Sequence, residues 1–249
     1  WVHLDNVSMQ SIYLNGENFY VPTKRLLCTT ELMTHYTSQG KHVFLAGSQG
    51  SGKSTIIDSM KFFEKDATYH QVYITPDLKP DVVQLVIEAS MDKFMHNIFE
   101  PKASKLFILL DDMHFAERDC HDVIPILDLL RHCNESGGLY NVSKKTELNC
   151  YNRMTCLATS LPKSFHFEET TYRCLSKLAY LQIDDVATSE QHMVLMQIFN
   201  YYVNELHLGS SSWFNYHEVK KIIDATMGLH ERLLSLRGFQ FGFGETVRV

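Results

Sequence analysis

Short, wholly apolar runs alternate along this chain with longer stretches in which apolar residues recur at helical spacing. Val43-Phe44-Leu45-Ala46 and Leu106-Phe107-Ile108-Leu109-Leu110 are continuous apolar runs of strand length. Apolar at every position, they suit central strands of a parallel sheet covered on both faces. Gln71–Ile74, Met154–Ala158 and Ala179–Ile183 read as further strands. Leu26, Leu27, Thr30, Met33, Thr34 and Tyr36 recur roughly at helical spacing and predict a helix from Thr23 to about Gln39, ended by Gly40. A second helix is expected from Lys53 to about Glu64. Positions 82, 83, 86, 87, 91, 94, 95 and 98 are apolar in the same rhythm and predict one long amphipathic helix, Val82 to Phe99, stopped near Pro101. Val123, Ile124, Leu127 and Leu130 predict another over Asp119–His132, and two more are expected at about 188–206 and 215–227. Asn15-Gly16 marks a hairpin or packed arm at the start, and Gly137-Gly138 opens a second hairpin reaching Asn152. The tail FQFGFGETVRV fits no element.

Strands alternating with helices imply a doubly wound α/β core. The expected division is a large α/β subdomain over 1–187 and a helical segment over 188–249. The 249 residues can bury one substantial core, or one core and a small lobe. Apolar residues make up 45% and the net charge is −6, so no basic field is offered to a polyanion, and nucleic acid is not expected as a partner. No apolar run approaches the roughly 18 residues of a membrane span, and WVHLDNVSMQ lacks the shape of a signal peptide. A soluble intracellular protein without a membrane partner is expected. The chain starts at Trp1 rather than Met, so a piece of something longer is expected too. Its six cysteines form no C-x-x-C pair and read as reduced thiols. His114, Cys120 and His121 lack metal-ligand spacing.

Chemistry enters with VFLAGSQGSGKST, residues 43–55. Gly47, four residues, then Gly52-Lys53-Ser54 fits the phosphate-loop pattern, and the apolar strand before it supplies the required context. Backbone N–H groups of Gly47, Ser48, Gln49, Gly50, Ser51 and Gly52 would form a nest for a β-phosphate, reinforced by the positive end of the helix that follows. Lys53 would reach the β/γ oxygens. Ser54 would complete the shell of a Mg²⁺ ion, beside Thr55. About sixty residues on, LFILLDD ends in Asp111-Asp112. Asp111 would hold Mg²⁺ directly or through water, and Asp112 would orient or deprotonate the attacking water. Aspartate is one methylene shorter than the glutamate common there, so hydrolysis is expected to be slow or absent. Arg173, in TTYRCLSKLAYLQID, reads equally as an arginine finger for a neighbour's γ-phosphate or as a surface cation.

These residues resemble the AAA+ modules of dynein heavy chains, the third module and axonemal chains in particular, over most of the chain. FYVPTKRLL and KHVFLAGSQGSGKS are similar to the family's V-P-T approach, helix, strand and phosphate loop. MDKFMHNIFEPK, FILLDDMHFA, IPILDLLRHCNESGGLY and RCLSKLAYLQID follow in the family's order. The resemblance implies a P-loop NTPase of AAA+ type, a parallel sheet flanked by helices with a partial helical C-terminal lobe. It implies contact between Val21-Pro22 and a nucleotide, ATP or ADP with Mg²⁺. It implies neighbouring modules of the same heavy chain as partners, and microtubules only indirectly through the full motor. A cytoplasmic, cytoskeletal location follows, with the ciliary axoneme as the finer expectation. LATSLPKSF is similar to the sensor-1 region, with Ser160 where many hydrolytic modules have Asn. Of an R-F-x-R pattern Arg173 is present and Ser176 replaces the second arginine, while Cys28 replaces an arginine of the V-P-T helix. His114 and Ala116 stand where the family tends to have Asn and Pro. Each departure keeps binding and puts catalysis in doubt, so the reading is a regulatory module of the motor ring. The alternatives are a stand-alone P-loop phosphotransferase and a nucleotide-bound scaffold that never hydrolyses. A small-molecule kinase needs arginines around its acceptor, and the segment after the acidic pair offers only Arg118 and Arg131.

Overall fold

The structure, a computed structural model, describes residues 12–14, 18–121, 123–141, 146–162, 173–205 and 216–237. β1 (Ile12–Leu14) and β2 (Asn18–Tyr20) pair antiparallel, as the Asn15-Gly16 signal requires, although the turn itself and the 238–249 tail lie outside the described residues. α1 (Lys24–Ser38) follows. Thr23 caps it, since its Oγ1 accepts from the Leu26 N–H at 3.3 Å, satisfying a donor that the first helical turn leaves open. Next come β3 (Val43–Gly47), α2 (Lys53–Phe63), β4 (Ala67–Tyr73), α3 (Pro80–Ala89), β5 (Asp92–Met95) and β6 (Ile98–Glu100). β7 (Lys105–Asp111), α4 (Pro125–Ser136), β8 (Gly138–Tyr140), β9 (Leu148–Tyr151) and β10 (Met154–Ser160) continue the chain. β11 (Ala179–Ile183), α5 (Thr188–Glu205) and α6 (Tyr216–Arg237) complete it.

The chain forms two compact units. One gathers Thr29–Gly47 and Met60–Ile183, and the other, among the described residues, those up to Cys28, Ser48–Ser59 and those from Asp184 onward. The first holds a five-stranded sheet of order β11-β3-β10-β7-β4 with every neighbouring pair parallel. Leu106, Ile108 and Leu110 of β7 share one core cluster with Val83 and Ile87 of α3 and Leu127 of α4. Phe107 and Leu109 point to the opposite face and are just as buried. That is why β7 is apolar at every position rather than at alternate ones. In the second unit, Met196 of α5 packs on Val219 and Ile223 of α6.

The long helix expected over Val82–Phe99 is corrected: α3 starts at Pro80 and ends at Ala89. Ser90 turns its Oγ back to donate to the Val86 carbonyl at 2.7 Å, and Asn97, at φ 65°, turns the chain between β5 and β6. Phe94 and Met95, inward in a helix, are 64% and 57% exposed. β6 pairs parallel with β9, and β9 antiparallel with β8, in a second sheet of order β5-β6-β9-β8. This confirms the 137–152 hairpin. Glu88 docks α3 on that sheet, its Oε1 accepting from Asn149 Nδ2 at 2.8 Å and from the Tyr151 hydroxyl at 2.9 Å. Gly138 is required there, because a Cβ would fall 2.0 Å from the Asn149 carbonyl oxygen.

The helix expected from Asp119 starts instead at Pro125. Asp119 Oδ1 accepts from the His121 and Val123 N–H groups at 2.9 and 3.0 Å, closing a local turn. Pro125 then holds Ile124 extended and opens the helix. α6 runs ten residues past the expected end, to Arg237, through a Gly228 that packing leaves open. Among the described residues no helix is long and apolar enough to cross a membrane.

Candidate nucleotide site

β3 hands the chain to the glycine loop at Gly47, and α2 takes it up at Lys53. Gly50 and Gly52 have φ of 77° and 92°, left-handed values that glycine adopts without strain. The Ser51 N–H donates to the Ser48 carbonyl at 3.2 Å, tightening the turn. Such alternation of backbone hand curls successive amides into an anion nest. A Cβ on Gly52 would also meet Leu26 Cδ2 of helix α1 at 3.0 Å, a tight contact that adds to the cost of the left-handed backbone. Lys53 Nζ arches back to donate to the Ser48 carbonyl at 2.8 Å. Ser51 Oγ is buried without a hydrogen-bond partner among the described residues. A nest, an ammonium, a helix N-terminus and an unspent hydroxyl fit a phosphate. Ser54, exposed in the first turn of α2, has a hydroxyl open for a metal, and Thr55 beside it is half-buried. Val21 and Pro22 are buried just before the Thr23 cap, while Gln49 is exposed at the loop's crest.

Sequence reasoning passed over Arg25, whose only signal was its place two residues after V-P-T. Its Nη1 donates to the Ser51 carbonyl at 2.8 Å and to the Asp184 carbonyl at 3.3 Å, and its Nε meets Glu190 Oε2 at 3.3 Å.

In the sheet unit, Asp111 ends β7 and Ser160 ends the adjacent β10, with Leu110 opposite Ala158 in the register. The next pair upward brings Thr159 beside Asp111. Thr159 Oγ1 donates to Asp111 Oδ1 at 2.5 Å and accepts from the Asp112 N–H at 2.9 Å. One hydroxyl therefore orients both acidic residues, a role the sequence did not reveal. Asp112 is left-handed at φ 59°, ψ 49°, a conformation that costs a non-glycine residue roughly 1–2 kcal/mol. Its side chain is half exposed, with His114 Nδ1 3.8 Å from Oδ1. Ser160 is fully buried opposite Ala46 and its hydroxyl donates to the Leu161 carbonyl at 3.3 Å. Arg173 is exposed at the start of a short helical turn, its carbonyl accepting from Ser176 Oγ at 2.9 Å. Asp111, Asp112 and Ser160 thus gather at the carboxyl ends of neighbouring strands in one unit. Val21, Pro22 and the loop from Ser48 to Thr55 belong to the other.

A parallel sheet of this order, with a glycine nest leaving β3 and an acidic pair ending β7, defines a P-loop NTPase domain of AAA+ type. The chain belongs to the P-loop containing dynein motor region family, whose family model matches residues 11–186. It is similar to human dynein axonemal heavy chain 12, at 24% identity over 212 residues that cover 82% of this chain and 7% of that protein. Rat dynein axonemal heavy chain 12 is 26% identical over 59% of this chain and 5% of its own length. Rat dynein axonemal heavy chain 5 is 28% identical over 51% of this chain and 4% of its own. The chain spans 7% or less of the length of these relatives. It is a dynein-type AAA+ module.

Proposed function

We propose that this module binds ATP or ADP with Mg²⁺ and acts as a regulatory module, most like the third, in an axonemal-type motor ring. The observation that carries the reading is the nest of Gly50 and Gly52 with Lys53 folded over it at the start of α2. In this reading Lys53 and the loop amides grip the phosphates, Val21 and Pro22 line the base, and Ser54 and Asp111 are the ligands of Mg²⁺, which offsets phosphate charge when bound. Asp112 orients water weakly, being an aspartate. Ser160, fully buried, is a poor sensor of a γ-phosphate. Arg173 serves a neighbouring module's site, so an isolated module turns over slowly, as a missing arginine finger costs ~10³–10⁵ in kcat. Residues 188–249 are a partial small subdomain. The partners are the flanking modules of one heavy chain, with microtubules reached through the full motor and the ciliary axoneme as location. The phosphotransferase reading is weakened by Arg131, which Asp128 and Glu135 of its own helix engage at 2.8 and 2.6 Å.

The test is Lys53→Ala, read by thermal melting with Mg-ADP. Ligand at ~100 times its Kd stabilises a fold by about 2.7 kcal/mol. The wild type melts later with ADP and the variant does not; equal shifts in both would sink the assignment.

A further inference from the structure

We propose that Arg25 is the positioning residue of the phosphate loop, and that it ties the loop's affinity for phosphate to the first turn of α5. The proposal rests on the nucleotide-binding reading above and adds the side chain that shapes the loop. Arg25, Ser51, Asp184 and Glu190 all lie in one compact unit, and a single guanidinium reaches the other three.

The argument begins with the peptide plane. Carbonyl and N–H point in opposite directions across a trans peptide, and the described chain has no cis bond. Anchoring the Ser51 carbonyl on Arg25 at 2.8 Å therefore turns the Gly52 N–H away from the guanidinium, fixing the orientation of the Ser51–Gly52 peptide; the next carbonyl, of Gly52, is held by the Ile56 N–H at 3.0 Å. Gly52 sits at φ 92°, where glycine rotates freely, so without an external anchor this peptide has many alternatives. Arginine suits the task because its planar fork serves a carbonyl and a carboxylate at once, which an ammonium cannot do in fixed geometry. The carboxylate is Glu190, in the first turn of α5, where the helix dipole favours a negative charge. The pair's side chains are only 20% and 17% exposed, and Glu190 Oε1 is buried with no hydrogen-bond partner among the described residues. Glu190 thus depends on Arg25, and any movement of the first turn of α5 pulls on the group that holds Ser51.

The experiment uses the 249-residue chain and two readouts. Amide hydrogen exchange of Gly50 to Lys53 is measured without nucleotide, and affinity is measured with a fluorescent ADP plus Mg²⁺. Arg25→Met keeps the stem and removes every donor. It is expected to speed exchange in the loop and to weaken ADP by about tenfold or more, the scale of one lost charge-assisted hydrogen bond, with exchange in β3 unchanged. The swap of Arg25→Glu with Glu190→Arg restores an ion pair but gives Ser51 no donor, so melting recovers while exchange and affinity do not. Wild-type exchange in Arg25→Met, or a swap that restores ADP affinity along with melting, overturns the proposal. If Arg25→Met does not fold, Arg25→Lys replaces it, with the same loss expected and wild-type values overturning the proposal. Wild-type protein that fails to bind ADP, while Arg25→Met still loosens the loop, overturns the nucleotide reading and leaves the positioning role standing.

Discussion

Thr159 uses one hydroxyl twice, giving its proton to Asp111 and taking that of the Asp112 amide. The left-handed backbone of Asp112 is held by that second bond, and strain of this kind persists where neighbouring groups over-determine it. Thr159→Val keeps the shape and removes both bonds. It should destabilise the fold by ~1–3 kcal/mol, the cost of an amide left unpaired, and, under the proposed reading of Asp111 as a Mg²⁺ ligand, weaken the Mg²⁺ dependence of nucleotide binding because Asp111 loses its orientation. Thr159→Ser should restore both. Denaturant titration and Mg²⁺-dependent ADP binding check this, and an unchanged Mg²⁺ dependence in the valine variant removes the assigned role. The sequence singled out only the neighbouring Ser160, for its likeness to a sensor-1 position, and passed over Thr159. Identity alone cannot separate adjacent hydroxyl residues on a strand. The registers of β10 on its two neighbours do, by bringing Thr159 beside Asp111 of β7 and Ser160 opposite Ala46 of β3.

The stretch from α3 to β6 shows how two periodicities can coincide. Met91, Phe94, Met95 and Ile98 fit a helical stripe, yet β5 and β6 turn at Asn97, and the Cys150 N–H reaches the Asn97 carbonyl at 2.8 Å from far along the chain. Pairing with β9 supplied what no local propensity encoded. β8 and β9 meet so closely that Gly138→Ala drives a methyl into the Asn149 carbonyl. A loss of up to about 3 kcal/mol is expected, at the upper end for overpacking. Gly228→Ala is the contrast: it lies inside α6 with open space around it, so the better helix former should stabilise by up to ~1 kcal/mol. Urea denaturation of both variants reads the difference, and equal effects would show that close approach is not what Gly138 serves. The strands β3 and β7 were legible because burial on both faces leaves an apolar run with no competing period. The start of α4 was not, because Asp119 and Pro125 decide it through a turn.

The whole fold carries a pH dependence through His42. Its ring is buried, its Nδ1 accepts from the Cys156 N–H at 2.9 Å, and desolvation pulls its pKa down to about 4. The folded state resists a proton that the unfolded chain takes near 6.5, so this contribution is fully present above that value and is lost as pH falls through about 4. Its full size is ~3 kcal/mol. His42→Asn keeps an acceptor without a titration and should flatten the acid limb of stability measured by denaturation between pH 7 and 4; an identical limb would assign the dependence elsewhere. Taken across the molecule, local chemistry determined the phosphate loop, the acidic pair, the central strands and the family. The loop, the acidic pair and the strands are each written in contiguous residues, and the family shows through the order in which such motifs follow one another. Tertiary structure decided the rest. It broke the 82–99 stripe into a helix and a strand pair, set Thr159 against Asp111, and closed Arg25 on Ser51 and Glu190. Those outcomes depend on which distant segments pack together, and side chains 26 and 165 residues apart carry no mark in the sequence of their meeting.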